Sequence, residues 1–227
     1  MWLEATCWTA AGRQPRRIAI EQLVIAGWTG RDRAAVQHHI DELAAIGVAP
    51  PAAVPCFYRC SAGLLTSAPR VQVLGAESSG EVEFVLLFLE DGIWVGVGSD
   101  HTDRKVEAYS ISVSKQMCPK PLSAEFWPMA ELEDHWDRLE LSSVIEEAGH
   151  AVTYQEGAVT AMLAPPELIA AYRRAGGEPR PGMAMFGGTL PARGGVRPAR
   201  RFEARLDDPV RGRRLVHRYE TECLPLA

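Results

Sequence analysis

The chain has 227 residues, 47% of them hydrophobic and 23% charged. That is ordinary globular composition, and it excludes a collagen, a disordered chain and a disulfide scaffold. At about 150 residues per domain the length suits one generous domain, or one with a small appendage, and it can bury a core without disulfides or a structural metal. Twenty-four Lys and Arg against 29 Asp and Glu leave a net charge of −5, which disfavours a protein that grips nucleic acid through its phosphates.

The start, Met1-Trp2-Leu3-Glu4-Ala5-Thr6-Cys7, has an early acid and no apolar stretch followed by a cleavage site, so no secretory leader is expected. No run approaches the roughly 18 apolar residues of a membrane span; the longest, Phe84 to Leu89, has strand length. Residues 17–27 read as strand ending at Gly27. Asp32 is the expected N-cap of a helix over 33–46, with Val36, Ile40, Leu43 and Ala44 at helical spacing and Gly47 as its stop. The prolines at 50, 51 and 55 mark a connector.

Beyond residue 70 the texture changes to short apolar runs broken by turns. Residues 71–74, 81–89 and 93–97 read as strands, with Glu90-Asp91-Gly92 a hairpin turn. Val106, Tyr109, Ile111 and Val113 read as an alternating strand leading to Lys115. Helical signals follow at 130–139 and 166–175, the second stopped by Gly176-Gly177. The tail reads as a hairpin, with 201–206 alternating, a turn at 207–209, and 215–223 returning. Eight arginines lie between Arg197 and Arg218, interleaved with Glu203, Asp207, Asp208, Glu220 and Glu222. Such interleaving fits a solvated, salt-bridged hairpin rather than a phosphate-binding stripe. Of the five cysteines, Cys56 and Cys60 look like half a zinc site with no second pair to complete it. All five are expected as reduced thiols in a cytoplasmic protein.

The most informative stretch is Gly80-Glu81-Val82-Glu83-Phe84-Val85-Leu86-Leu87. Residues i and i+2 of a strand share a face, so Glu81 and Glu83 project together, roughly 7 Å apart. Two such carboxylates need solvent, a basic partner or a divalent cation. The next strand ends at Ser99-Asp100-His101-Thr102-Asp103-Arg104. If the two strands pair across the hairpin, Asp100 reaches the glutamates, and three carboxylates form a hard oxygen site suited to Mg²⁺ or Mn²⁺, with Ca²⁺ also compatible. Read alone, the same residues also fit a solvated strand edge and a turn aspartate. Met185-Phe186-Gly187-Gly188-Thr189-Leu190-Pro191 reads as a glycine turn whose N–H groups and hydroxyl suit an anionic ligand.

In this order the pieces resemble the fumarylacetoacetate hydrolase family. Its acidic-x-acidic pair opening an apolar strand has a counterpart in Glu81-Val82-Glu83-Phe84-Val85-Leu86, and its Asn-Asp-x-x-x-Arg-Asp motif in Ser99-Asp100-His101-Thr102-Asp103-Arg104-Lys105. Its lysine followed by Cys/Ser-Pro is matched by Lys115-Gln116-Met117-Cys118-Pro119, and its Gly-Thr-Pro turn by Gly188-Thr189-Leu190-Pro191. Val54-Pro55-Cys56-Phe57-Tyr58-Arg59 is similar to a Pro-x-x-Phe-x-Lys stretch of the family. The whole chain looks like a bacterial family related to that group, domain of unknown function 2848. Lys105 stands where the family has an acid, Glu107 where it often has Gln, and Gln116-Met117 where it has Ser-Phe.

The resemblance implies an α+β fold, a β-rich mixed β-sandwich roll. A short N-terminal α/β segment, residues 1–50, would pack on a catalytic domain, residues 51–227, as one structural unit. It implies that Glu81, Glu83 and Asp100 hold the cation, that Lys115 sits beside the substrate, and that Thr189 and Gly188 meet its carboxylate. Arg31, Arg104 and Gln116 would be further substrate contacts. A His/Glu pair on the N-terminal segment activates water in the family; His38, His39 and Glu42 are the candidates here, with His101 a second candidate base. The implied activity is that of a divalent-metal-dependent enzyme acting on a small 2-oxo acid or 1,3-dicarbonyl compound, by C–C bond hydrolysis, decarboxylation or tautomerisation. The implied partners are a small carboxylate substrate and a second copy of the chain in a homodimer, with neither nucleic acid nor membrane. The alternative is a non-enzymatic small-acid-binding or assembly module on the same fold.

Overall fold

A computed structural model describes residues 1–9, 12–45 and 50–226, the side chains of residues 39 and 42–45 excepted. The chain begins with β1 (Trp2–Thr9) and β2 (Gly12–Ala19), an antiparallel pair, then β3 (Gln22–Gly27). The expected single strand over 17–27 is therefore two. The chain breaks at Ile20-Glu21, where it leaves β1 and the Glu21 and Gln22 N–H groups donate to the Gly182 carbonyl. Helix α1 (Arg33–Ala45) follows, and Asp32 caps it by accepting from the Ala34 and Ala35 N–H groups at 2.9 and 3.1 Å. The expected stop at Gly47 lies outside the described residues. Next come β4 (Cys56–Cys60), β5 (Leu65–Thr66), β6 (Arg70–Leu74), β7 (Ser78–Ser79), β8 (Val82–Leu89), β9 (Gly92–Ser99) and β10 (Thr102–Asp103).

Residues 104–117 are helical, α2 (Arg104–Glu107) and α3 (Ile111–Met117), not the strand their alternation suggested. Local capping overrides the period-two pattern. Asp103 Oδ1 accepts from the Val106 N–H at 2.8 Å, and Ser110 accepts from the Val113 N–H at 3.4 Å. After β11 (Lys120–Pro121) and β12 (Glu125–Pro128), the expected helix over 130–139 is instead two short 3₁₀ turns, Met129–Glu131 and Glu133–Arg138. His135, at φ −141° and ψ 22°, departs from helical geometry, and the turns bury Met129, Leu132 and Trp136 in quick succession. Then follow β13 (Glu140–Glu147), β14 (His150–Ala158), α4 (Pro165–Arg174), β15 (Met183–Thr189), β16 (Arg201–Asp208) and β17 (Arg213–Leu224).

Among the described residues the longer strands make two sheets. One has eight strands in the order β2-β1-β12-β9-β8-β15-β3-β4; the other has five in the order β14-β13-β16-β17-β6. The larger sheet mixes parallel pairs, β1 with β12 and β3 with β15, into an otherwise antiparallel array. At its centre β8 is buried along nearly its whole length, as the apolar run of 84–88 requires. Val82, Phe84 and Leu86 face the five-stranded sheet across one core, while Val85 and Leu87 join Leu3, Ile25, Phe126 and Phe186 in a second core on the opposite face. The outer edge strand β2 carries Arg13, Pro15, Arg16 and Arg17. The tail is the salt-bridged hairpin expected from its interleaved charges, for each of the eight arginines from Arg197 to Arg218 meets a carboxylate.

Candidate metal centre

The β8–β9 hairpin places Val82 opposite Ser99 and Glu83 opposite Gly98, and the Asp100 N–H donates to the Glu81 carbonyl at 2.9 Å. The two strand ends are thereby locked side by side. Glu81, Glu83 and Asp100 each present a carboxylate oxygen, and the three lie within 4.8 Å of one another. Among the described residues no other grouping of three or more His, Cys, Asp or Glu side chains is tight enough to hold a metal ion, Cys56 and Cys60 included.

Asp100 is fully buried and Glu83 nearly so, while the Glu81 side chain is 20% exposed. Burial pushes the Glu83 carboxyl well above the usual carboxylate range, and the neighbouring Asp100 and Glu81 add to that; the Gly188 N–H, donating to Oε2 at 2.7 Å, opposes them. Burial raises Glu81 too, against the pull of Arg104 and Lys115. Asp100 behaves oppositely. Burial works to raise it, but the Lys115 and Lys120 ammoniums outweigh burial and hold it below the usual range. Lys115, on α3, donates to Asp100 Oδ2 and lies 4.0 Å from Glu81; burial works to lower it, and the Asp100 and Glu81 carboxylates outweigh that and raise it. Three carboxylates converging in a buried corner that opens to solvent at Glu81 are the all-oxygen donor set that a hard divalent cation fits.

Several expected site residues are committed elsewhere. His101 adjoins Asp100 in sequence, but neither ring nitrogen is offered to the carboxylates. Nδ1 meets the Tyr219 hydroxyl at 2.8 Å and Nε2 meets Ser78 Oγ at 2.9 Å. Consecutive residues of extended chain point to opposite faces, which separates His101 from Asp100. Burial, with Lys120 and Arg104 nearby, pushes the imidazole down to about 3, so it stays neutral. Gly188 spends its N–H on Glu83, and the Thr189 hydroxyl donates to the Val82 carbonyl at 2.8 Å. Arg104 pairs with Glu81 at 3.1 Å and Glu107 at 2.9 Å and donates to Ser79 Oγ at 2.7 Å. Arg31 forms a two-pronged pair with Asp137 and donates to the Met162 carbonyl at 3.2 Å. Gln116 accepts from the Ser61 N–H at 3.0 Å. His38 is exposed on α1, and the side chains of His39 and Glu42 lie outside the described residues.

The structure also brings in groups that sequence reasoning passed over. Lys120 is fully buried; its Nζ donates to the His101 carbonyl at 2.5 Å and lies 3.0 Å from Asp100 Oδ1. The available signal was a lysine between Pro119 and Pro121, a rigid extended segment that aims its side chain. Gln155 of β14 uses its whole amide behind Glu83. It accepts from the Val82 N–H and the Ser143 hydroxyl, and it donates to Thr189 Oγ1 and the Leu190 carbonyl. The Tyr58 ring stands 5.8 Å from Lys115 Nζ, and burial, with Cys56 beside it, pushes the Tyr58 phenol up to about 12.

Comparison with solved structures gives the same fold throughout. A protein from Oleispira antarctica, provisionally described as a fumarylacetoacetate isomerase/hydrolase, superposes with a TM-score of 0.67 at 19% identity, covering 96% of this chain and 99% of that one. A yeast fumarylacetoacetate hydrolase family protein gives 0.66 at 16% identity, over 92% and 95%. Fumarylpyruvate hydrolase from Pseudomonas aeruginosa, in complex with Mn²⁺ and pyruvate, gives 0.64 at 14% identity, over 97% of each chain. Among curated proteins, no sequence matches. The architecture is thus that of the fumarylacetoacetate hydrolase fold, and no helix among the described residues is long and apolar enough to cross a membrane. The profile of the family described as "Protein of unknown function (DUF2848)" matches residues 26–219, a span that includes all three carboxylates, and the chain belongs to that family.

Proposed function

We propose that the protein is a divalent-metal-dependent enzyme acting on a small 2-oxo acid or 1,3-dicarbonyl compound by C–C bond hydrolysis, decarboxylation or tautomerisation. The observation that carries this reading is the convergence of Glu81, Glu83 and Asp100 oxygens within 4.8 Å at the end of a buried hairpin. The Mn²⁺ and pyruvate in the structurally similar fumarylpyruvate hydrolase support the metal and the ligand class. Glu81, Glu83 and Asp100 would hold Mg²⁺ or Mn²⁺, which supplies Lewis acidity toward adjacent substrate oxygens. Lys115 contributes fixed positive charge on the rim of that cluster, where negative charge grows on a substrate losing a proton or a carbon–carbon bond. The Tyr58 ring, 5.8 Å from Lys115 Nζ, lies beside that charge. His101 is held away from the reacting centre. A hydrolytic reaction therefore draws its base from the α1 segment, where His38 is the described candidate. Decarboxylation or tautomerisation needs no activated water. The free thiols support a cytoplasmic setting, and the family resemblance supports a homodimer.

A second reading has its own observation. Arg104, Lys115 and Lys120 already match the three carboxylates in number without a cation. On that reading the protein is a metal-free module that binds small acids. Calorimetric titration of Mn²⁺ into chelator-stripped protein, beside Glu83→Gln, separates the two. The metalloenzyme reading expects saturable one-site binding that the variant loses. Failure of the wild type to bind, both alone and with oxalate present, leaves the binding module. Binding justifies a substrate screen of acylpyruvates and oxaloacetate.

A further inference from the structure

Behind the carboxylates, on the face of the large sheet turned toward the five-stranded sheet, runs a buried line of hydrogen bonds. The Glu81 N–H donates to Ser99 Oγ at 3.2 Å. Ser99 Oγ meets the Tyr219 hydroxyl at 2.9 Å, Tyr219 meets His101 Nδ1 at 2.8 Å, and His101 Nε2 meets Ser78 Oγ at 2.9 Å. Ser78, Ser99, His101 and Tyr219 are each at most 3% exposed. One donor direction satisfies the line from end to end: the Ser99 hydroxyl donates to Tyr219, the Tyr219 hydroxyl to Nδ1, and the Nε2 hydrogen to Ser78.

The line starts at the candidate centre and ends on the β7–β10 ladder. At one end it fixes the backbone of Glu81. At the other it reaches the short ladder of β7 with β10, where Ser78 stands opposite Asp103 and Ser79 opposite Thr102. From that ladder Ser79 Oγ accepts from Arg104 Nε, and Arg104 grips the Glu81 carboxylate. Glu81 is thus held at its amide by Ser99 and at its carboxylate by Arg104, whose partner Ser79 follows Ser78 in the chain. Tyr219 is the member contributed by the other sheet, from β17. It fits because residue 80 is glycine: a Cβ there would lie 2.7 Å from the Tyr219 hydroxyl and 2.6 Å from the Phe202 ring.

We infer that Tyr219 and His101 are positioning residues for the metal-holding carboxylates, fixing Glu81 and Asp100 in register through Ser99 and Ser78. The inference rests on the metal-site reading above. Neither residue touches the cation or the substrate. They act by holding the ligand-bearing backbone at one spacing, the task that hydrogen-bond partners behind a metal site perform. The surroundings exclude solvent, so an interrupted line leaves its remaining polar atoms without a substitute partner.

The test is Mn²⁺ affinity measured by calorimetry in Tyr219→Phe, which removes one hydroxyl and keeps the ring, with the thermal midpoint recorded for each protein. Loss of a partner behind the ligands typically weakens metal binding by about 10- to 100-fold, and a drop of at least about tenfold is expected here. Ser99→Ala breaks the line at its next member; it carries the same expectation and decides the matter if Tyr219→Phe does not fold. Leu141→Ala, a core truncation outside the line, separates positioning from general softening: its midpoint falls while its Mn²⁺ affinity stays within about twofold of wild type. Equal affinity in wild type, Tyr219→Phe and Ser99→Ala overturns the inference and leaves the metal site standing, as does an equal loss in Leu141→Ala. A wild type that binds no Mn²⁺ overturns both.

Discussion

Lys120 and Asp100 form a pair from which water is excluded on both sides. Replacing Lys120 with Met keeps the bulk and removes one of the two ammoniums on the carboxylate. Breaking one side of such a pair typically costs about 3–5 kcal/mol. For a chain of this length that is a fall of roughly 10 °C in thermal midpoint, to be read by circular dichroism at neutral pH; a fall of under about 2 °C would show that Lys115 alone suffices for Asp100. At this scale the sequence was legible where one strand rule applied. Alternation grouped Glu81 with Glu83, and the hairpin turn at Glu90-Asp91 brought Asp100 to them. The same rule, carried one residue further, sends His101 to the opposite face. Its adjacency to Asp100 in sequence suggested a base, and its direction in space denies it that place. Lys120, Gln155 and Tyr219 were illegible because their value lies in partners from distant segments, and a lone polar residue in sequence carries no sign of them.

Among the elements, β9 shows how tightly the hairpin is fitted. A Cβ on Gly98 would lie 2.7 Å from the Pro121 carbonyl oxygen and 2.9 Å from the Phe186 ring. The carbonyl belongs to backbone and cannot rotate away. Gly98→Ala is expected to cost about 1–3 kcal/mol through overpacking, seen as a lower urea midpoint with an unchanged slope. An unchanged midpoint would mean that β11 yields without strain. The β8–β9 hairpin, the helix capped by Asp32, the helix stopped at Gly176 and the charged tail hairpin were all readable, because each is specified by residues close together in the chain. Two of the misread segments follow from competition. Over 104–117 the caps Asp103 and Ser110 overrule alternation, and over 129–138 packing of Met129, Leu132 and Trp136 shortens an apparent helix to 3₁₀ turns. The parallel pairing of β1 with β12 joins residues more than a hundred positions apart, and nothing local announces it.

For the whole molecule, acid is the informative stress. Burial pushes His217 down to about 4, and its Nε2 has no hydrogen-bond partner. The folded chain keeps this imidazole neutral, whereas the unfolded chain protonates it below its ordinary value of 6.5. The unfolded state therefore binds more protons between about pH 6.5 and 4, and stability is complete above that window and lost as pH falls through it. For His217 alone the loss is about 3 kcal/mol at the lower end. His217→Phe should flatten the decline in thermal midpoint between pH 7 and 4.5; an identical decline in wild type and variant would assign the acid sensitivity to other groups. Among the described residues the eight-stranded sheet closes on itself at neither end, and its outer strand β2 presents Pro15 among Arg13, Arg16 and Arg17. A proline donates no hydrogen bond, and long side chains already engaged with Glu125, Asp91 and Glu4 line the strand, so accretion of a further strand at that margin is disfavoured. Edge-to-edge accretion of copies is thereby steered away from β2 and toward the other borders, β4 of this sheet and β14 and β6 of the smaller one.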